Sequence, residues 1–207
     1  MSEGVSGTEG YANEAPELFR HYESISAAEL HVPISHLIPK QPGKVADIGA
    51  GTGRDAAWFA EMGHHVVAVE PSDAMRNGAI RLHRSPRIEW LDDSLPDLAL
   101  LRARGERFDL VMLTAVWMHL DEGQRRRAMP HLAALANPGG ALAMMMRHGP
   151  VPQGRRMFEV SAEETIALAA PFGLHPVVNL HRQSTQAANR AAGVTWTILA
   201  FVKGAEA

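Results

Sequence analysis

Short apolar runs alternate with amphipathic stretches through most of the chain. Strand-like runs fall at residues 44–48, 65–69, 87–91, 108–113 and 140–146, and helical spacing marks 53–62, 72–82, 96–104 and 121–136. Alternation of this kind predicts a parallel sheet with helices on both faces. Ahead of it, residues 14–20 and 26–38 carry helical patterns, broken by Pro33 and closed near Pro39. Behind it the rhythm changes. Ser161-Ala162-Glu163-Glu164 is a capping box that opens a helix through Ala170. Two strand-like runs follow, at 174–181 and 194–202, joined by a polar linker instead of a long helix. They predict an antiparallel pair at the sheet edge.

The segment from Val45 to Asp55 concentrates the chemistry. An apolar strand ends in Asp47, Gly49, Gly51 and Gly53 alternate with small residues, and a helical pattern begins. Glycines let a backbone approach a ligand where a β-carbon would collide, and the helix N-terminus that follows favours an anion. The dinucleotide fingerprint G-x-G-x-x-G would need its third glycine at position 54, where Arg54 stands. The motif present is acid-x-G-x-G-x-G, and it resembles the first motif of class I S-adenosylmethionine-dependent methyltransferases.

Four later features keep the order of that family across residues 44–146. Glu70 ends the second strand, where an acid accepts hydrogen bonds from both ribose hydroxyls; nicotinamide-binding domains share this feature. Asp92-Asp93-Ser94 follows the third strand, where the resemblance implies an acid on the adenine amine and a backbone N–H on the ring. Sequence does not separate Asp92 from Asp93, and one of them is a cap for the next helix; Asp92, nearer the strand end, is the first choice. The fourth strand ends at Thr114 on the cofactor edge, and Asn137-Pro138-Gly139-Gly140 resembles the turn before the family's fifth strand. The resemblance implies S-adenosyl-L-methionine as donor, S-adenosyl-L-homocysteine as product and no metal. Asp47 would then accept from the donor's ammonium.

Composition narrows the function. The 207 residues carry 20 basic and 23 acidic side chains, a net charge of −3, which gives no footprint for nucleic acid. The one dense basic run, Arg125-Arg126-Arg127, reads as a solvated helix face. There is no cysteine, and the 11 histidines show no helical metal spacing. No apolar run approaches the ~18 residues of a membrane span. The first ten residues, Gly/Ser/Glu-rich, read as disordered and not as a signal peptide. The expectation is a cytoplasmic protein, monomer or homodimer, acting on a small molecule.

Candidate catalytic residues lie after the fourth and fifth strands. His119 is placed to take a proton near neutral pH, or else is packed in its loop on backbone. Beside it, Trp117 is read as core before pocket wall. Arg147 and His148, presented by Gly149-Pro150, would face a substrate, with Arg147 able to clamp a carboxylate or phosphate. Tyr11 and Tyr22, the only tyrosines, lie in the N-terminal segment, which in the family folds over the donor as a lid. The linker 182–193 either caps the substrate pocket or is an exposed loop.

The expectation is thus one Rossmann-like domain. Lid helices at 1–40 precede a methyltransferase unit at 41–207, built on a seven-stranded, mainly parallel sheet with an antiparallel last strand. A nicotinamide-dependent oxidoreductase and a non-catalytic binding module are the alternatives.

Overall fold

A computed structural model describes Val5 and residues 7–205. Its strands are β1 (Lys44–Ile48), β2 (His65–Val69), β3 (Ile88–Leu91), β4 (Phe108–Thr114), β5 (Ala136–His148), β6 (Leu174–Gln183) and β7 (Thr195–Lys203). They form one sheet in the order β3-β2-β1-β4-β5-β7-β6. The first five strands pair in parallel, whereas β7 runs antiparallel to both of its neighbours. The last strand therefore sits inside the sheet, and β6 forms the outer edge.

The helices are α1 (Tyr11–Glu23), α2 (Ala27–Leu30), α3 (Arg54–Glu61), α4 (Asp73–Leu82), α5 (Ala99–Ala103), α6 (Glu122–Leu135), α7 (Ala162–Ala169) and α8 (Ala187–Ala191). Strands β1 and β2 each begin exposed and then run buried for four residues, because helices cover both sheet faces. One core gathers Leu101, Met129, Leu132 and Ala169 against Val111, Leu142 and Met144. The other sets Ile34, Phe59 and Ala56 against Val45, Met112 and Met145. Met144, Met145 and Met146 are all buried, adaptable fillers shared between the two faces.

Several local expectations shift. The Asn137–Gly140 stretch is no free turn: Phe108 pairs with Ala136 and Leu110 with Ala141, so Asp109 alone spans residues 137–140, which bulge out of β5. Helix α5 starts later than residue 96, after Leu98 at φ 46°. The basic run on α6 is not wholly solvated. Arg125 is buried, donates to Leu120 O, and grips Glu164 of α7 through Nε at 2.9 Å and Nη2 at 3.0 Å. It ties the two helices by a bidentate pair.

The N-terminal segment is also more structured than its composition predicts. Residues 1–4 and 6 lie outside the described residues, but Thr8 N–H reaches Val5 O at 3.2 Å and α1 begins at Tyr11. Helix α1 packs on α4, where a β-carbon on Gly78 would stand 2.5 Å from the Phe19 ring. That close approach brings α1 down over the carboxyl ends of the strands.

Candidate active site

A cavity of about 400 Å³ opens at the carboxyl ends of β1, β2, β4 and β5, under α1 and the segment 152–157. This is the face where open α/β sheets take ligands. Crossing the sheet from β3 toward β7, its wall passes Ser94, Glu70, Asp47, Thr114, Arg147 and Trp196.

The glycine turn bends as its spacing requires, with φ of 72° at Gly49, 57° at Gly51 and 84° at Gly53. The three have different duties. A β-carbon at Gly49 would meet Val116 at 2.5 Å, and one at Gly53 would meet Trp90 at 2.6 Å. Around Gly51 the nearest atom is an oxygen of the turn itself at 4.0 Å, so this glycine faces open space. Gly49 and Gly51 line the cavity, whereas Gly53 packs behind it.

Glu70, buried at the tip of β2, accepts from Gly51 N–H and Ser72 N–H, both at 2.8 Å. Burial raises its pKa, and these two amides offset part of the rise. A carboxylate offers about four lone-pair sites, so two remain for hydroxyls. Asp47 is buried at 2% exposure, and its Oδ2 has no hydrogen-bond partner among the described residues. Burial first, then the nearby Asp55 carboxylate, holds its pKa well above the ordinary carboxylate value.

Asp55 is the reverse case, and no local feature of the chain singles it out. Its Oδ1 accepts from Arg54 Nε at 2.7 Å; its Oδ2 accepts from His31 Nε2 at 2.9 Å and from the Thr114 hydroxyl at 2.7 Å. Burial works against ionisation, but His31 and Arg54 outweigh it and hold the pKa far below the usual range. Thr114 therefore lines the cavity with its hydroxyl already committed.

At the turn after β3 the pair of acids separates. Asp93 and Ser94 line the cavity, while Asp92 turns away to Arg76 at 3.2 Å. Asp93 also braces the first turn of the next helix, whose N-cap position is Leu98: its carboxylate accepts from Ser94 N–H at 2.8 Å and Leu101 N–H at 2.9 Å. The acid that braces the helix is thus also the one on the cavity wall, whereas Asp92, the first choice from strand position, does not line it.

Tyr11, Tyr22, His119 and Arg147 meet on the other side. His119 Nδ1 lies 2.7 Å from the Arg156 carbonyl, which can only accept, so Nδ1 carries the proton and Nε2 accepts from the Tyr11 hydroxyl at 3.1 Å. Burial lowers the His119 pKa and raises those of Tyr11 and Tyr22. Arg155 lies over the Tyr11 ring at 4.1 Å and bonds Glu14 at 2.7 Å and the Glu9 carbonyl at 3.0 Å, clasping α1 to the segment 152–157.

His148 does not join them. Neighbours on a strand point to opposite faces, so Arg147 enters the cavity while His148 bonds Thr197 Oγ1 at 2.8 Å outside it. Trp117 is core, its indole donating to Thr165 at 3.1 Å. From the linker, Ser184, Thr185, Gln186 and Asn189 reach the wall, the capping alternative. Among the described residues no group of three His, Asp or Glu side chains is arranged to hold a metal, and no helix is long and apolar enough to cross a membrane.

Residues 45–140 match the family model described as a methyltransferase domain. An uncharacterized methyltransferase of Alkaliphilus oremlandii is 25% identical over 132 residues, 64% of this chain and 56% of that protein. The glycine N-methyltransferase of Mus musculus is 28% identical over 135 residues, 56% of this chain and 46% of that one. The chain thus spans about half the length of these relatives. Among solved structures, the 1,6-didemethyltoxoflavin-N1-methyltransferase of Burkholderia thailandensis, with S-adenosylhomocysteine bound, superposes with a TM-score of 0.64 at 22% identity. That match covers 90% of this chain and 78% of the other. With the motif order, the strand order and the cavity all in agreement, residues 45–140 carry a methyltransferase domain, on a fold like that of the class I S-adenosylmethionine-dependent methyltransferases.

Proposed function

We propose that this protein binds S-adenosylmethionine in the cavity and methylates a small molecule on oxygen or nitrogen. The observation that carries the reading is Asp47 Oδ2, a buried, unpartnered acceptor on the wall beside the open space at Gly51. A buried carboxyl without a partner is costly, and a substrate ammonium answers it. Glu70 keeps lone pairs for ribose hydroxyls, and the Asp93–Ser94 turn stands where an adenine would lie. These residues fit the cofactor's amino-acid, sugar and base ends in the order the sheet presents them.

When bound, S-adenosylmethionine supplies an activated methyl carbon that needs no metal. The chain's own share is orientation, exclusion of water and handling of one proton. The acceptor's proton passes to His119 Nε2, directly or through the Tyr11 hydroxyl, whose own proton already points there. Helix α1, closed by Arg155, keeps bulk water out. The lid 1–40 and the unit 41–207 form one working body in this reading.

Isothermal calorimetry with S-adenosylhomocysteine tests the donor. Binding to the wild type and strong weakening in Gly51→Arg and Glu70→Gln are expected, with folded circular dichroism spectra for both. Unchanged affinity in the two variants, or tighter binding of NADH, would sink the reading. Binding without methyl transfer to any component of a metabolite extract would identify a non-catalytic module instead.

A further inference from the structure

Arg147, Trp196 and Arg182 occupy one row across β5, β7 and β6, since Arg147 registers with Trp196 and Trp196 with Arg182. Residues in one register row share a sheet face. Arg147 spends Nη1 on the Pro150 carbonyl at 2.8 Å and touches Met157 sulfur, and nothing among the described residues holds its Nε or Nη2. Arg182 donates to the Leu30 carbonyl at 3.2 Å. Among the described residues neither has a carboxylate partner, although the cavity wall includes five carboxyl groups. Those are used elsewhere: Glu14 holds Arg155, Asp55 holds His31 and Arg54, and Asp47, Glu70 and Asp93 sit on β1, β2 and the turn after β3.

We propose that Arg147 is the anchor for an anionic acceptor, a carboxylate or phosphate carried on a planar or apolar body that lies along Trp196. The inference rests on the methyltransferase reading above and names its substrate class. A guanidinium with a free edge matches two anionic oxygens side by side. Burial pushes the pKa of Arg147 down, and Tyr11 and Tyr22 offset only part of that, so the site bears an uncompensated cation that an anion would relieve. Arg182, one strand further out in the same row, adds a second positive charge beside Trp196 without lining the cavity itself. The whole cavity, which also takes the donor, is about 400 Å³, within the range of small-molecule sites, which fits a small acceptor.

The test uses the protein saturated with S-adenosylhomocysteine and three probes of matched shape: benzoate, phenyl phosphate and neutral benzamide. Calorimetry should show benzoate or phenyl phosphate binding and benzamide at least roughly tenfold weaker; whichever anion wins identifies the acceptor's charged group. Arg147→Met should lose anion binding and Arg147→Lys should retain part of it, with S-adenosylhomocysteine affinity unchanged in both. Benzamide binding as tightly as the anions, no anion binding to the wild type, or full anion binding in Arg147→Met would each overturn the proposal. Failure of S-adenosylhomocysteine itself to bind would instead overturn the donor assignment.

Discussion

The Tyr11 hydroxyl donates to His119 Nε2 across 108 residues of chain, joining the N-terminal helix to the loop after β4 at the cavity wall. Both groups are held in their uncharged forms, since burial raises the phenol and lowers the imidazole. The pair is a proton acceptor already connected to a relay.

The first prediction follows from that pair. For an acceptor that loses its proton in the transition state, His119→Ala should lower kcat roughly 10²–10⁴-fold, and Tyr11→Phe should lower it less. The base works when deprotonated, and its pKa is depressed from 6.5, so the acid limb of kcat/KM should fall below pH 6.5. A limb above that value, or one that survives His119→Ala, would show that His119 is not the base.

The Arg155 clasp should control access. Arg155→Ala removes the cation–π contact at 4.1 Å and the pair with the half-exposed Glu14. Together these are worth on the order of 1 kcal/mol, about fivefold in the opening equilibrium. Hydrogen exchange in α1 should speed up by that factor while the sheet's protection stays unchanged. Equal exchange in variant and wild type would show that α1 is held by its packing on α4 alone.

Much of this was legible in the chain. The strand alternation gives the sheet, and the acid-x-G-x-G-x-G turn with Glu70 marks one wall of the cavity, because backbone geometry and strand tips are local properties. Arg155, Asp55 and His31 were not legible. Each acts through a partner far along the chain: Arg155 on Tyr11 and Glu14, and His31 on Asp55. Nothing local distinguishes Asp55 from an ordinary first-turn acid. His148 failed for a local reason, since the period of two that admits Arg147 must turn it outward. The choice between Asp92 and Asp93 turned on Arg76, whose guanidinium draws Asp92 away.

Asp47 should couple cofactor binding to protons. Its raised pKa leaves it more protonated in the free protein than an ordinary carboxyl, and a bound ammonium favours the ionised form. Binding of S-adenosylhomocysteine should therefore release a proton, and affinity should rise with pH up to the free-state pKa of this group. Calorimetry in buffers of different ionisation enthalpy measures the release directly. The same enthalpy in every buffer at every pH from 3.8, the ordinary carboxyl value, up to neutral would refute the coupling.

Asp47 and Asp55 should also respond in opposite directions to loss of charge. The folded pKa of Asp47 lies above its ordinary value of 3.8, so its ionisation costs stability as pH rises from that value through the folded pKa. Asp47→Asn removes this cost and should raise Tm near neutral pH while abolishing S-adenosylhomocysteine binding. The folded pKa of Asp55 lies below 3.8, so its contribution is complete above the unfolded pKa and is lost as pH falls toward the folded one. Asp55→Asn leaves the buried His31 and the Arg54 guanidinium short of their partner and should cost about 3 kcal/mol, the scale for breaking a buried pair. Thermal unfolding of the two variants side by side decides it. A fall in Tm for Asp47→Asn would mean that this carboxyl supports the fold; a rise would mean that the free protein bears the cost of a buried acid until the donor's ammonium arrives.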